Sequence, residues 1–238
     1  MYTGHFAVGL ALHAVAPRGV SARSLLLGVG ALDLLNGIFT AVGLNHVTPA
    51  PDEAVGFLLD RIDWDHSLVM ALVWALACGL VRVLLRLPGA ALVALAVFSH
   101  LPLDALVHRP DLALWPGAPV RIGLDLWHLF PQLAWVFELL LAGAAFAFWA
   151  SRRGAALGPR RFWILGLLLG MHVSYAPALM PLRMVARSLA APLATQVYCG
   201  VVFISFLAPA WLMGGWLRPL ERTDQGDFAS ASPSAEPG

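Results

Sequence analysis

Residues 93–117 read VALAVFSHLPLDALVHRPDLALWPG, and this stretch decides the fold class of the chain. It begins as an apolar segment suited to a bilayer and then places His100, Asp104 and His108 at four-residue intervals. A four-residue step turns an α-helix by about 40°, so the three polar side chains lie on one face. Pro102 is expected to kink the helix but leaves His100 and Asp104 close neighbours. The stretch therefore predicts a membrane helix that carries a polar face.

The composition indicates the same class. The chain has 238 residues, of which 59% are hydrophobic and 12% charged, and its mean hydropathy is +0.76. Because a soluble domain holds about 25% charged residues, the deficit predicts an all-α, polytopic transmembrane helical bundle. The net charge of +1 offers no basic surface for nucleic acid. Cys78 and Cys199 lie inside apolar runs, which argues against a disulfide framework.

Six apolar runs are long enough to cross a bilayer, since about twenty helical residues span a core of about 30 Å. A further short run, residues 4–16, either spans with help from its neighbours or forms a re-entrant or interfacial helix. Residues 1–222 are predicted to form a single transmembrane helical domain, and residues 223–238 a disordered polar tail. The six long runs are residues 24–44, 67–87, 89–108, 129–150, 161–180 and 193–217.

The distribution of Arg predicts the orientation of the chain. If the first segment spans, most Arg residues fall in loops on one side, which the positive-inside rule assigns to the cytoplasm. The polar residues within the segments then gather in the outer half of the bilayer. Their shared depth predicts one site near the outer face of the membrane. These residues are His5, Asp33, His66, His100, Asp104, His108, His128 and Glu138.

The two carboxylates inside the membrane must be protonated, paired with imidazolium or bound to a divalent cation, because an ionised side chain near the bilayer centre costs about 2.5–3.5 kcal/mol. A divalent cation would neutralise both, and neutral imidazoles would complete a shell of nitrogen and oxygen that suits Zn²⁺, Mn²⁺ or Fe²⁺. A transition metal with an open position makes water a nucleophile at neutral pH, which is hydrolase chemistry. The candidate ligands are His5, His66, His100 and Asp104, and Asp33 is a further ligand or the general base.

Four motifs, in this order along the chain, resemble a known family. Together they resemble the bacterial membrane-bound, metal-dependent hydrolases, a family described as inner-membrane and related to LexA-regulated proteins. The resemblance covers roughly residues 4–128. It implies the same four ligands, the same role for Asp33 and a place in the bacterial cytoplasmic membrane. The motifs are GHFAVGLAL at residues 4–12, GALDLLNGIF at 30–39, DWDHSL at 63–68 and SHLPLDALVHRPDLALWPG at 99–117.

The chain also departs from the pattern of that family. Its more familiar members carry an LPDxDH-like stretch with a pair of acids and an HRxxTHS-like run before the third segment. Here Asp33 has no neighbouring acid, and DWDHS lacks the preceding His-Arg pair. This departure argues against a centre with two metal ions.

The leading functional hypothesis is a membrane-embedded hydrolase that acts on a lipid-linked or phosphoester substrate. Arg109 is a candidate clamp for a substrate anion, and loop 109–128 would cover the site. His108 and Glu138 would orient the ligands, or Glu138 would pair with an Arg. Two alternatives stay open: a permease-like protein that handles ions or protons, and a non-catalytic membrane protein with a degenerate site. Buried His and Asp side chains also hydrogen-bond between helices without any catalytic role.

Overall fold

The apolar runs form helices. The computed structural model describes the backbone of residues 1–229 and the side chains of residues 1–218, and the described chain is mostly helical. The helices of the first half are α1 (Thr3–Val15), α2 (Ala22–Val29), α3 (Ala31–Ala41), α4 (Asp63–His66), α5 (Leu68–Leu84) and α6 (Ala90–Val107). Those of the second half are α7 (Leu126–Leu129), α8 (Pro131–Arg152), α9 (Arg161–Ser174), α10 (Pro181–Ser188) and α11 (Ala191–Ala229), with a 3-10 turn at Gly154–Arg160 between α8 and α9.

Two small antiparallel hairpins lie in the connections between the helices. Strand β1 (His46–Pro49) pairs with β2 (Phe57–Arg61), and β3 (Leu112–Ala113) pairs with β4 (Arg121–Ile122). The first hairpin packs against α10 and the first half of α11, and the second packs against α4. Both hairpins therefore lie at one end of the bundle, where α1, α5, α8 and α11 begin and α6 ends.

The expectation of six long apolar helices is wrong. Among the described residues, three helices are long and apolar enough to cross a membrane: α6, α8 and the Ala191–Arg218 part of α11. Helices α2 and α3 form a fourth span only if they count as one, because they are bent by 52° at Gly30. Two of the predicted runs give shorter helices: α5 has 17 residues and α9 has 14.

Helix α1 is short but central. Its 13 residues rise about 20 Å, less than the bilayer core of about 30 Å. It packs against α2, α6 and α8, and both Phe6 and Leu10 are fully buried. Nine of its 13 residues are buried, so α1 lies at the centre of the helix packing.

The last helix extends beyond its predicted end. Helix α11 is described to Ala229 and therefore reaches into the predicted tail 223–238. Residues 230–238 lie outside the described residues, and the disorder expected there stays a prediction.

Helices α3 and α11 approach closely at two glycines. A Cβ atom added at Gly37 would lie 3.0 Å from the carbonyl oxygen of Cys199 and 3.2 Å from Cβ of Phe203. A Cβ atom added at Gly30 would lie 2.9 Å from Cδ1 of Phe206. The absence of side chains at these two positions therefore sets the distance between α3 and α11.

We expect Gly37→Val to lower the stability of the bundle by about 1–3 kcal/mol, because the new methyl groups would force α3 away from backbone atoms of α11. The measurement is thermal unfolding in detergent. Gly143→Val is the matched control, since a Cβ atom at Gly143 meets no atom within 4 Å. Equal melting temperatures for the two variants would contradict the proposed close packing.

Candidate metal centre

Four side chains from three helices converge at the end of the bundle that carries the hairpins. Nε2 of His66 (α4) and Nε2 of His100 (α6) lie 3.3 Å apart. Oδ2 of Asp104, one turn further along α6, lies 3.0 Å from the His100 nitrogen and 3.5 Å from the His66 nitrogen. Asp33, in the first turn of α3, places Oδ2 3.3 Å from His100 Nε2 and Oδ1 3.7 Å from His66 Nε2. Sequence reasoning named all four residues, and the fold brings them together.

These distances match the edges of a metal coordination shell. With bonds of about 2.0–2.2 Å, neighbouring ligand atoms of a tetrahedral site lie about 3.3–3.6 Å apart. Two sets of three residues offer ligand atoms that all lie within 4.8 Å of one another: His66, His100 and Asp104, and His5, Asp33 and His100. The described part of the chain can therefore hold a metal ion at this point.

The break between α2 and α3 fixes the orientation of His100. The last carbonyl groups of a helix have no donor within the helix, and α2 ends at Val29. The Val29 carbonyl oxygen lies 2.7 Å from Nδ1 of His100. Because a carbonyl only accepts, Nδ1 carries the hydrogen, and Nε2 of the neutral ring presents its lone pair to the cluster.

Asp65 fixes the orientation of His66. Oδ2 of Asp65 lies 2.8 Å from Nδ1 of His66, and its other oxygen accepts a hydrogen bond of 2.7 Å from the Asn45 side chain. A carboxylate accepts from Nδ1, so Nε2 of the neutral His66 ring also turns a lone pair inward. Two nitrogen lone pairs that face each other at 3.3 Å repel unless a proton or a metal cation lies between them.

The electrostatics of the site favour positive charge. Burial opposes a charge on the His66 ring, but the Asp65 carboxylate and the hydrogen bond to Asp104 outweigh it and raise the pKa of His66 well above its ordinary value. The side chains of His66 and Asp104 are each 2% exposed, so water screens these charges little. The cluster therefore favours a positive charge, which a proton or a metal cation could supply.

His5 reaches the cluster through the second oxygen of Asp104. Its Nε2 lies 3.1 Å from Oδ1 of Asp104, and its ring stacks on that of His100 with centroids 3.7 Å apart. Nδ1 of His5 is buried and has no hydrogen-bond partner among the described residues. The amine of Met1 also contacts Oδ1 of Asp104. This arrangement fits a His5 ring that donates from Nε2, because Nδ1 then needs no acceptor.

A cavity of about 60 Å³ adjoins the cluster. Asp33, whose side chain is 20% exposed, lines it and is the most accessible of the four converging carboxylates and imidazoles. Burial raises the pKa of Tyr2 to about 12, so its phenol stays neutral at neutral pH. The rest of the wall is mainly apolar and aromatic: Val55, Leu59, Ile62, Trp127, Tyr175, Leu182, Tyr198, Val202 and Phe206.

His108 and Glu138 lie beside the cluster. Nε2 of His108 is 3.7 Å from Oδ2 of Asp104, and Nδ1 is 3.2 Å from Oδ1 of Asp111. Oε1 of Glu138 accepts a hydrogen bond of 2.8 Å from the main-chain nitrogen of Gly4. Glu138 therefore holds the start of α1, one residue before His5, through the main chain rather than through a His or Arg side chain.

Arg109 lies at the surface. Its side chain is 47% exposed and forms an ion pair of 2.6 Å with Glu53. It lines a separate cleft with Asp111 and Asp125. Its predicted role as a substrate clamp stays a prediction.

Sequence reasoning missed the groups that orient the two His rings. No sequence pattern points to the Val29 carbonyl. Asp65, however, directly precedes His66 in the DWDHSL motif and could have been identified from the sequence. It also missed Asp63, which is 2% exposed and binds Arg121 Nη1 through Oδ1 at 2.8 Å. Oδ2 of Asp63 accepts from the Gly117 nitrogen at 2.9 Å. Asp63 thereby fastens the covering loop 109–128 to α4.

Comparison with family models, curated proteins and solved structures finds no match for the chain. The resemblance to the metal-dependent hydrolases therefore rests on the four motifs and stays a prediction. The geometry of the cluster is independent of that resemblance.

We expect Arg121→Gln to loosen the covering loop, because it leaves the buried Asp63 carboxylate without its cation, at a cost of about 1–3 kcal/mol. Hydrogen–deuterium exchange of loop 109–128 is the measurement, and exchange should become faster. Arg109→Gln removes an exposed ion pair worth below about 1 kcal/mol and is the control. Unchanged exchange in the Arg121 variant would show that this contact does not hold the loop.

Proposed function

We propose that the chain is a membrane-embedded, metal-dependent hydrolase with one divalent transition-metal ion, Zn²⁺, Mn²⁺ or Fe²⁺. The ligands in this proposal are Nε2 of His66, Nε2 of His100 and Oδ2 of Asp104. The observation that carries it is the pair of opposed Nε2 atoms, 3.3 Å apart, whose rings are held from behind by Asp65 and Val29. A group that orients each ligating His from its outer nitrogen is the usual design of a metal site.

The number of ions follows from His100. Its Nε2 belongs to both sets of three residues, and its Nδ1 is engaged by Val29. One nitrogen lone pair binds one ion, so the two sets describe a single centre. We assign His5 to orienting Asp104 rather than to binding the ion, because Nδ1 of a ligating His5 would need an acceptor that the described residues do not provide.

Asp33 is the proposed general base. Three protein ligands with an open fourth position are the pattern of catalytic zinc sites, and the ion supplies acidification of water and polarisation of the ester. Asp33 lies 3.3 Å from the His100 nitrogen and faces the cavity, so its carboxylate can take a proton from a water that approaches the centre. In the hydrolysis of a phosphoester, the water oxygen would bond to phosphorus, the bond from phosphorus to the ester oxygen would break, and the proton taken up by Asp33 would pass to the leaving alkoxide.

The surroundings support a substrate from the bilayer. Three helices can cross a membrane by length and composition, and large apolar side chains such as Leu76, Leu84 and Leu140 are more than half exposed. The cavity wall is mainly apolar, which suits the chain of a lipid-linked ester. Together with the Arg distribution, this supports our proposal that the site lies near the outer face of a bacterial inner membrane.

We expect the purified protein to contain about one transition-metal ion per chain, measured by inductively coupled plasma mass spectrometry. His66→Ala and Asp104→Ala should lose the ion, because each removes a proposed ligand. His46→Ala is the control, since its side chain is 71% exposed and pairs only with Asp60. Asp65→Asn should retain the shell but weaken affinity by about 10–100-fold. Equal metal content in His46→Ala and His66→Ala would contradict the proposed ligands.

We expect Asp33→Asn to keep the metal and lose turnover, because it removes a base but no proposed ligand. The rate of hydrolysis of a short-chain phosphodiester in detergent should fall by about 10²–10⁴-fold. Metal content is measured on the same samples. If Asp33→Asn also loses the ion, Asp33 is a ligand and the base lies elsewhere.

A further inference from the structure

A second cavity, of about 30 Å³ and partly open, lies next to the proposed metal centre. It is formed between the start of α8 and the segment that precedes α10. Trp127 and Tyr175 line both this cavity and the one that adjoins the cluster, so these two rings form a shared wall. A molecule that occupies the second cavity would therefore lie directly beside the proposed site of hydrolysis.

The second cavity carries two opposite charges that are not paired with each other. Glu138 is 4% exposed, and its only described hydrogen bond is the one from the Gly4 nitrogen. Arg183 donates to the carbonyl oxygens of Pro177 and Ala54, and its Nε atom is buried without a partner. In the described part of the chain, no charged group lies within ion-pair distance of either side chain. A buried carboxylate without a counter-charge is costly, and the half-buried guanidinium keeps one donor without a partner among the described residues, so the pair fits a ligand that brings both signs of charge.

Aromatic rings surround the carboxylate. Trp135 lies one helical turn before Glu138 on α8, and Trp127 and Tyr175 complete the wall. Trp135 is fixed by stacking on His172, with centroids 4.3 Å apart, and by donating to the His172 carbonyl oxygen at 3.2 Å. Rings that face a cavity beside a carboxylate attract an ammonium group by cation–π interaction as well as by charge.

The depth of the cavity points to a membrane lipid as the source of the ligand. It lies at the beginning of α8, one of the three helices able to cross a membrane. Large apolar side chains near its lining residues are exposed by half or more, as expected for contact with lipid: Phe130, Leu133, Leu179 and Met184. Trp side chains at this level are typical of the zone where lipid headgroups lie.

We propose that the second cavity binds the zwitterionic headgroup of a phospholipid, with the ammonium group at Glu138 and the phosphate near Arg183. The site would select lipids with an ammonium headgroup as substrates for the neighbouring metal centre. This role in substrate selection rests on the proposed function. Because Glu138 holds both the headgroup and the start of α1, recognition and the position of His5 depend on the same side chain.

The test is lipid binding by native mass spectrometry of the purified protein in detergent. The probes are equimolar dihexanoyl phosphatidylethanolamine and dihexanoyl phosphatidylglycerol, which differ only in the headgroup. We expect wild type to prefer the ethanolamine lipid by about tenfold, the effect of roughly 1.4 kcal/mol of binding free energy. Glu138→Gln should reduce the preference to near one. It keeps an oxygen that can accept from the Gly4 nitrogen, so it removes only the charge.

Two further variants keep the result interpretable. Arg183→Gln should weaken binding of both lipids, because both contain the phosphate. Glu53→Gln, which removes an acid of the neighbouring surface cleft, should leave the preference unchanged. Equal binding of the two lipids by wild type, or a preference that survives in Glu138→Gln, would overturn the proposal. Free phosphoethanolamine that displaces the lipid at equal concentration would overturn the lipid source.

The experiment is repeated on Asp104→Asn. If the lipid preference persists in this variant, headgroup recognition does not require the metal centre. The headgroup proposal would then hold even if the hydrolase proposal failed. If the wild-type protein contains its metal but shows no preference between the two lipids, only the proposal about the headgroup is wrong.

Discussion

The structure depends on a balance of charge in a place from which water is excluded. The carboxylates of Asp33 and Asp104 lie 3.0–3.7 Å from the inward nitrogens of His66 and His100. Buried carboxylates cost several kcal/mol each without a counter-charge, and the opposed imidazole lone pairs add a repulsion of their own. Positive charge at the centre removes both penalties. The stability of this end of the bundle and its affinity for a cation are therefore one property.

Helices α1, α2 and α3 contribute to the centre through irregularities in the fold. The bend at Gly30 ends α2 early and frees the Val29 carbonyl, which sets the tautomer of His100. A straight helix through this region would satisfy that carbonyl internally. The short α1 brings His5 to the centre at its first turn, and Glu138 holds that turn through the Gly4 nitrogen. The features that make the helices poor membrane spans are thus the ones that build the site.

The sequence predicted which side chains meet better than it predicted the form of the helices. Two features were enough to name side chains that meet in the fold. These were the four-residue spacing of His100 and Asp104 and the free-energy cost of placing Asp33 in a membrane. Hydropathy did not reveal that residues 24–44 bend at Gly30 or that 161–180 end as a helix at Ser174, because backbone breaks in apolar sequence leave the mean hydropathy unchanged. The role of the Val29 carbonyl was also beyond sequence reasoning, since every residue has such a group. Arg109 was chosen for its charge, and its pairing with Glu53 depends on a loop conformation that no local pattern encodes.

The departure from the family's pattern and the geometry lead to the same number of ions. A centre with two metal ions needs additional carboxylates as ligands, and acids are present nearby in Asp63 and Asp65. Both are already used: Asp65 holds His66 and accepts from Asn45, while Asp63 binds Arg121 and the Gly117 nitrogen. A second ion would have to displace these contacts, which orient one proposed ligand and fasten the covering loop. These two acids therefore hold His66 and loop 109–128 in place, and their use there supports the proposal of one ion rather than two.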